Sequence, residues 1–163
     1  MNLIVNADQN WGIGFRGKLL VTIPEDMKFF RNETLGKVVI LGRRTLATFP
    51  GGRPLERRRN IVLTRNPSFD AKGAEVCTSV DEVLKAVKDV PQKDVYVIGG
   101  DSIYRQFLPY CDLAHVTRVR KSFDADAWFP NLDTDPEWEL TGESDEKTCF
   151  DLEFTFQRFE RKK

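Results

Sequence analysis

One carboxylate stands out by its neighbours. Asp26 lies beside Met27 and one helical turn before Phe30, so a helix there puts a carboxylate on a face of Met27 and Phe30 that should look inward. Burying such a group is costly without a partner. Desolvation raises its pKa while a helix N-terminus lowers it. Two uses fit this spacing. Asp26 can add negative charge to a first helical turn and face solvent, or it can await a flat cationic or amidine-like ligand.

Two other places have the chemistry of phosphate binding. Val97-Ile98-Gly99-Gly100-Asp101-Ser102-Ile103-Tyr104 follows an apolar run and opens a helix, where glycines admit a ligand closely and free N–H groups face an anion. It lacks the GxGxxG spacing, and a Gly-Gly turn is also a common plain connection. Gly42-Arg43-Arg44-Thr45 sets two arginines at a helix start, where the dipole favours anions. A bound phosphate resolves that conflict, with Thr45 as a further donor and Arg65 arriving after Ile61–Leu63; three solvated arginines are the plainer reading. Two anion sites at strand carboxyl ends suggest a dinucleotide with an extra phosphate, NADPH more than NADH.

These residues need a scaffold, and the chain supplies one. Leu3–Val5, Val38–Leu41, Ile61–Leu63 and Val95–Ile98 are apolar without alternation, as strands covered on both faces are. Thr22-Ile23-Pro24-Glu25 and Ser79-Val80-Asp81-Glu82 have capping-box spacing, the second followed by an apolar face of Val83, Leu84 and Val87. A third helix should start after Gly99-Gly100 and stop near Pro109. Leu113–Val119 suits a strand. Phe150, Leu152, Phe154 and Phe156 alternate with polar residues, which predicts a half-exposed strand. Strand–helix alternation followed by strands predicts an α/β fold: a mostly parallel sheet, helices on both faces, an antiparallel addition at the end.

Composition narrows the partners. The 163 residues carry 25 basic and 25 acidic side chains, which argues against nucleic-acid and membrane-surface binding. At 40% hydrophobic, with no linker or repeat, the chain suits one domain over residues 1–163. Cys77, Cys111 and Cys149 are dispersed and His115 is the lone histidine, so no metal site is expected and the thiols suit a reducing compartment. No apolar run nears the roughly 20 residues of a membrane helix, and no basic leader precedes the first strand. A cytoplasmic monomer is expected.

Together these residues resemble the dihydrofolate reductase family, bacterial single-domain type, in order along nearly the whole chain. The match runs from the first strand ending at Ala7 to Trp11-Gly12-Ile13-Gly14, Ile23-Pro24-Glu25-Asp26-Met27 with Phe29-Phe30, and Leu41-Gly42-Arg43-Arg44-Thr45. It continues through Arg53-Pro54-Leu55, Arg58-Arg59-Asn60-Ile61-Val62-Leu63, Val97-Ile98-Gly99-Gly100 with Tyr104, Thr117, Asp126 and Phe129-Pro130. The resemblance implies a three-layer sandwich, NADPH as cofactor, and dihydrofolate and antifolate inhibitors as ligands.

Roles follow from the same resemblance. Asp26 would be the catalytic acid that grips the pterin, with Thr117 hydrogen-bonded to it, and Asn6 would add a polar group near the pterin. Val5, Met27, Phe30, Phe49, Leu55 and Ile98 would wall the substrate, and Arg58 would hold its α-carboxylate. Ala7, Ile13 and Gly14 would meet the nicotinamide, with Tyr104 nearby and Ile98 bordering it. Gly42, Arg43, Arg44, Thr45, Leu63, Thr64 and Arg65 would take the phosphate and adenosine side. Gly99, Gly100, Asp101, Ser102 and Ile103 would form the pyrophosphate turn, with a cis bond between the glycines. The loop from Asp8 to Val21 would gate the site.

Three positions depart from the family pattern. Val21 replaces a tryptophan that helps order a water beside the acid, Asn6 stands where alanine is common, and Ser102 where some relatives have a basic residue. Other readings are a riboflavin-pathway reductase, which needs no acid on the substrate helix, a poorly catalytic binding paralogue, and a purely structural α/β domain.

Overall fold

The computed structural model describes residues 1–163. In chain order it contains β1 (Asn2–Ala7), β2 (Gly12–Phe15), β3 (Lys18–Leu19), α1 (Pro24–Thr34), β4 (Val38–Gly42), α2 (Arg43–Ala47), β5 (Arg59–Leu63) and β6 (Glu75–Cys77). Then follow α3 (Val80–Ala86), β7 (Val95–Gly99), α4 (Asp101–Phe107), β8 (Leu113–Val119), β9 (Ala127–Trp128), β10 (Trp138–Glu143), β11 (Lys147–Cys149) and β12 (Leu152–Arg161). The main sheet runs β10-β12-β8-β1-β7-β4-β5-β6, with β11 also on β12. From β8 to β6 every pairing is parallel, while β12 is antiparallel to β8, β10 and β11.

Strand pleat divides the core into two layers. Leu3, Val5, Ala7, Val38, Ile40, Ile61, Leu63, Val95 and Val97 join Val83 of α3, Val87 just after it, and Ile103, Tyr104 and Phe107 of α4. Their neighbours Ile4, Val39, Leu41, Val62, Tyr96 and Ile98 point the other way, to Leu46 of α2 and Phe29 and Phe30 of α1. That is why these strands read as unbroken Val/Ile/Leu runs: both faces are covered. The result is the predicted three-layer α/β sandwich. β7 stands between β1 and β4. Around it, the helices that follow β1 and β4 lie on one face and the helix after β7 lies on the other. The sheet is therefore open at the carboxyl edge around Gly99–Gly100.

Some local expectations change. α1 starts one residue late: Ile23 is its N-cap, with no side-chain cap bond. Thr22 precedes the cap position, so its hydroxyl does not cap. At α3 the cap forms, Ser79 Oγ accepting from Glu82 N at 3.1 Å, but the Glu82 carboxylate returns to Thr78 N at 2.7 Å. Met27 does not look inward, being 57% exposed. At about 100° per residue, the α1 positions turned to the sheet are Asp26, Phe29, Phe30, Glu33 and Thr34, which leaves Met27 on the rim. Phe150 is not in the strand: it occupies the turn between β11 and β12 with φ 56 and is 96% exposed.

Residues 8–21 form no open loop either. β2 pairs with β3 and with β9, making a small second sheet. Gly12 is there for space, since a Cβ on it would come within 2.9 Å of Ala125 Cβ and 3.1 Å of Asp8 Oδ2.

Candidate active site

Asp26 faces the sheet, held from two strands. Register sets Asn6 of β1 directly beside Thr117 of β8, and both point to the α1 face. Thr117 Oγ1 donates to Asp26 Oδ1 at 2.5 Å and Asn6 Nδ2 donates to Oδ2 at 2.9 Å. Thr117 is buried and Asn6 half-buried. Burial pushes the Asp26 carboxyl above the ordinary range, against the pull of the Thr117 and Asn6 hydrogen bonds. The solvent-facing reading of Asp26 is thereby excluded. Each carboxylate oxygen offers about two acceptor sites, so one on each oxygen remains for a ligand edge bearing two N–H donors.

Apolar side chains gather nearby. Ile98 belongs to the α1-side core, and Phe30, Phe49 and Leu55 pack partly buried against it. Met27 borders this group from the rim. Val5 lies elsewhere, in the opposite layer with Ala7, Ile13 and Tyr104, because it alternates with Asn6 along β1. Tyr104 is buried, its hydroxyl donating to Ile4 O at 2.7 Å. Burial and the Asp26 charge raise its phenol pKa.

Arg58 is braced at the far end of α1. Its Nη1 donates to Thr34 Oγ1 at 3.1 Å and its Nε to Glu56 O at 3.0 Å. Burial, then Arg31, then Arg57 depress its guanidinium pKa, and Glu56 partly offsets them. Sequence reasoning missed Arg31 and Arg57. Spacing offered a faint signal for Arg31, one turn before the helix end. Arg57 takes φ 56, a left-handed conformation that normally favours glycine. None of the three arginines makes an ion pair within the fold, and the Glu56 charge offsets their field only in part.

The two anion-type turns meet at the carboxyl edge. Gly42 packs so closely on α4 that a Cβ would fall 3.0 Å from Ile103 Cγ1, and a Cβ on Gly100 would fall 3.5 Å from Thr45 Oγ1. The Gly99–Gly100 peptide is cis, as the resemblance implies. Neither Gly42 nor Gly100 gives its helix a side-chain cap. Ser102 N is met by Asp101 Oδ1 at 2.8 Å. Arg43, Arg44 and Arg65 are exposed and make no ion pairs, while Leu63 and Thr64 are buried at the end of β5. Uncapped N–H groups beside unpaired guanidiniums suit a phosphate-bearing cofactor.

Ile13 is buried and Gly14 half-buried on β2, continuing from the carboxyl end of β1 at Ala7. The turn between them hangs on Asp8, another residue sequence reasoning left unused. Its Oδ1 accepts from Asn10 N and Gly12 N, both at 2.8 Å, and its Oδ2 from Phe123 N at 3.0 Å. An aspartate just past a strand and before a tight turn was the available signal. Val21 packs near Ile23, Val119 and Phe154 and gives Asp26 no donor.

An open α/β sheet with two glycine-bearing turns and unpaired arginines at its carboxyl edge, and one half-buried acid beside them, suits a nucleotide-dependent oxidoreductase. The dihydrofolate reductase family model matches residues 1–161. Dihydrofolate reductase of Staphylococcus haemolyticus is 34% identical over 157 residues, covering 94% of this chain and 92% of the relative. The bifunctional dihydrofolate reductase-thymidylate synthase of Daucus carota is 39% identical over 148 residues, and the match spans 28% of that longer protein. The solved dihydrofolate reductase from Enterococcus faecalis, complexed with NADP(H) and RAB-propyl, superposes with a TM-score of 0.85 at 31% identity, covering 99% of this chain and 96% of that one. The chain belongs to the dihydrofolate reductase family.

Proposed function

We propose that this chain reduces 7,8-dihydrofolate to tetrahydrofolate at the expense of NADPH, with Asp26 as the residue on which turnover depends. One observation carries the reading: a half-buried carboxylate among apolar side chains, each oxygen held by one protein donor and the remaining acceptor sites free. That suits the 2-amino group and ring N–H of a pterin. A reductase without an acid on this helix would not need it.

In this reading Met27, Phe30, Phe49, Leu55 and Ile98 wall the pterin and benzoyl rings. Arg58, in the field of Arg31 and Arg57, takes the α-carboxylate of the glutamate. Val5 contributes through its backbone beside Asn6, since its side chain lies in the opposite layer. Arg43, Arg44, Thr45, Thr64 and Arg65 hold phosphate and adenosine beside Gly42 and Leu63, and residues 99–103 cradle the pyrophosphate. Ala7, Ile13 and Gly14 border the nicotinamide, near Tyr104, whose committed hydroxyl keeps the turn against β1. The β2–β3 hairpin is the candidate gate.

When bound, NADPH supplies the hydride that reduces the C6–N5 double bond of the pterin at C6. N5 also takes a proton. A carboxylate gripping the far edge of the ring cannot reach N5, so water delivers that proton. Ionised Asp26 acts electrostatically, making the ring easier to protonate. Its raised pKa moves the acid limb of activity above 3.8, and the need for a proton at N5 slows turnover as pH rises.

No helix is long and apolar enough to cross a membrane. Three free cysteines and balanced charge support a cytoplasmic monomer of one domain, residues 1–163, that binds neither nucleic acid nor membranes and takes antifolates at the same site. The test is steady-state NADPH oxidation followed by absorbance, with dihydrofolate as acceptor and NADH as the alternative donor. Turnover requiring dihydrofolate and favouring NADPH is expected. NADPH binding without turnover would make the chain a binding paralogue.

A further inference from the structure

The acid's second hydrogen bond is the least expected feature of the site. Asp26 takes part in none of the ion pairs of the fold. From β8 it receives the Thr117 hydroxyl, and from β1 the Asn6 amide. Tyr104, on α4, has committed its proton to the Ile4 carbonyl. The segment before α1 offers only Val21, packed against a separate apolar cluster. On α1 itself, Glu25 is turned to Lys147 at 3.9 Å. So Asn6 is the only protein donor to Oδ2.

We propose that Asn6 is a positioning residue: its amide fixes Oδ2 as Thr117 fixes Oδ1, so that the carboxylate meets the substrate ionised and with both remaining acceptor sites in one plane. A single donor would leave the group free to turn about its last side-chain bond. Two donors from adjacent, directly paired strands hold the carboxylate plane, and a flat ligand with two parallel N–H donors needs that plane fixed before it arrives. Both bonds favour the charged form of a group whose burial opposes charge. Burial, Thr117 and Asn6 are the influences that set the Asp26 titration.

The inference rests on Asp26 being the pterin-gripping acid, and its test separates the two ideas. The carboxyl titration of Asp26 is followed by carbon-13 NMR in the cofactor-free protein, with Asp26→Asn identifying its signal. Wild type is compared with Asn6→Ala, which removes the donor, and Asn6→Asp, which keeps the shape and replaces donor with acceptor. The midpoint is expected to rise by about one pH unit in Asn6→Ala and further in Asn6→Asp, where two carboxylates share one site. The acid limb of kcat/KM for dihydrofolate should move by the same amounts. Equal midpoints in wild type and both variants would overturn the proposal. A shifted NMR midpoint in a protein that does not turn over dihydrofolate would uphold the role of Asn6 and defeat the assignment of the substrate.

Discussion

Arg58 illustrates how residue types and residue partners carry different information. Its place in the ordered motif marked it as an anion ligand. Its tether to Thr34 at the end of α1, and the pressure of Arg31 and Arg57 on its charge, emerge only once helix and loop are folded together. If Arg58 takes the substrate carboxylate, Arg58→Gln should raise KM for dihydrofolate roughly tenfold or more, the worth of charge-assisted hydrogen bonds of about 1.5–3 kcal/mol. Its kcat should change little, and so should its activity on a reduced pterin that carries no glutamate. Equal losses on both substrates would place Arg58 in the framework instead. Asp26 was visible as an anomaly in sequence, yet its partners were not. Nothing local says that residues 6, 26 and 117 meet, because that contact depends on which strand lies beside β1.

At the scale of elements, the buried parallel strands were the most legible part of the fold. β1, β4, β5 and β7 are covered on both faces, and such strands can hardly be written except as Val, Ile and Leu. Short edge pieces were not legible. β3 and β9 span two residues each, and β6 and β11 three, too few to show a period, so the second sheet hid in what looked like a loop. Caps divide in the same way. Thr22 and Ser79 have the same spacing to a glutamate, but only Ser79 meets an N–H of its helix. Ser79→Ala should therefore cost about 1 kcal/mol in urea unfolding, while Thr22→Ala stays within about 0.5 kcal/mol. Equal costs would mean that α1 is capped after all.

For the whole molecule, the site and the stability of the fold pull against each other. Burial raises the Asp26 carboxyl above its ordinary 3.8, so the folded chain holds that proton more tightly than the unfolded chain. Between 3.8 and the folded value, stability falls as pH rises, and above that window the cost is fully present. Asp26→Asn removes it. The variant should melt at a higher temperature than wild type at neutral pH, and the gap should close as pH falls toward 3.8. A variant less stable than wild type at neutral pH would contradict this. The same substitution tests the functional account most directly. The measurement is the single-turnover rate of dihydrofolate reduction by NADPH-saturated protein, wild type against Asp26→Asn, with NADPH affinity measured in parallel. A fall of at least about a hundredfold, with NADPH binding intact, is expected. Equal rates in the two proteins would contradict it, because the ionised acid would then have no part in the chemistry.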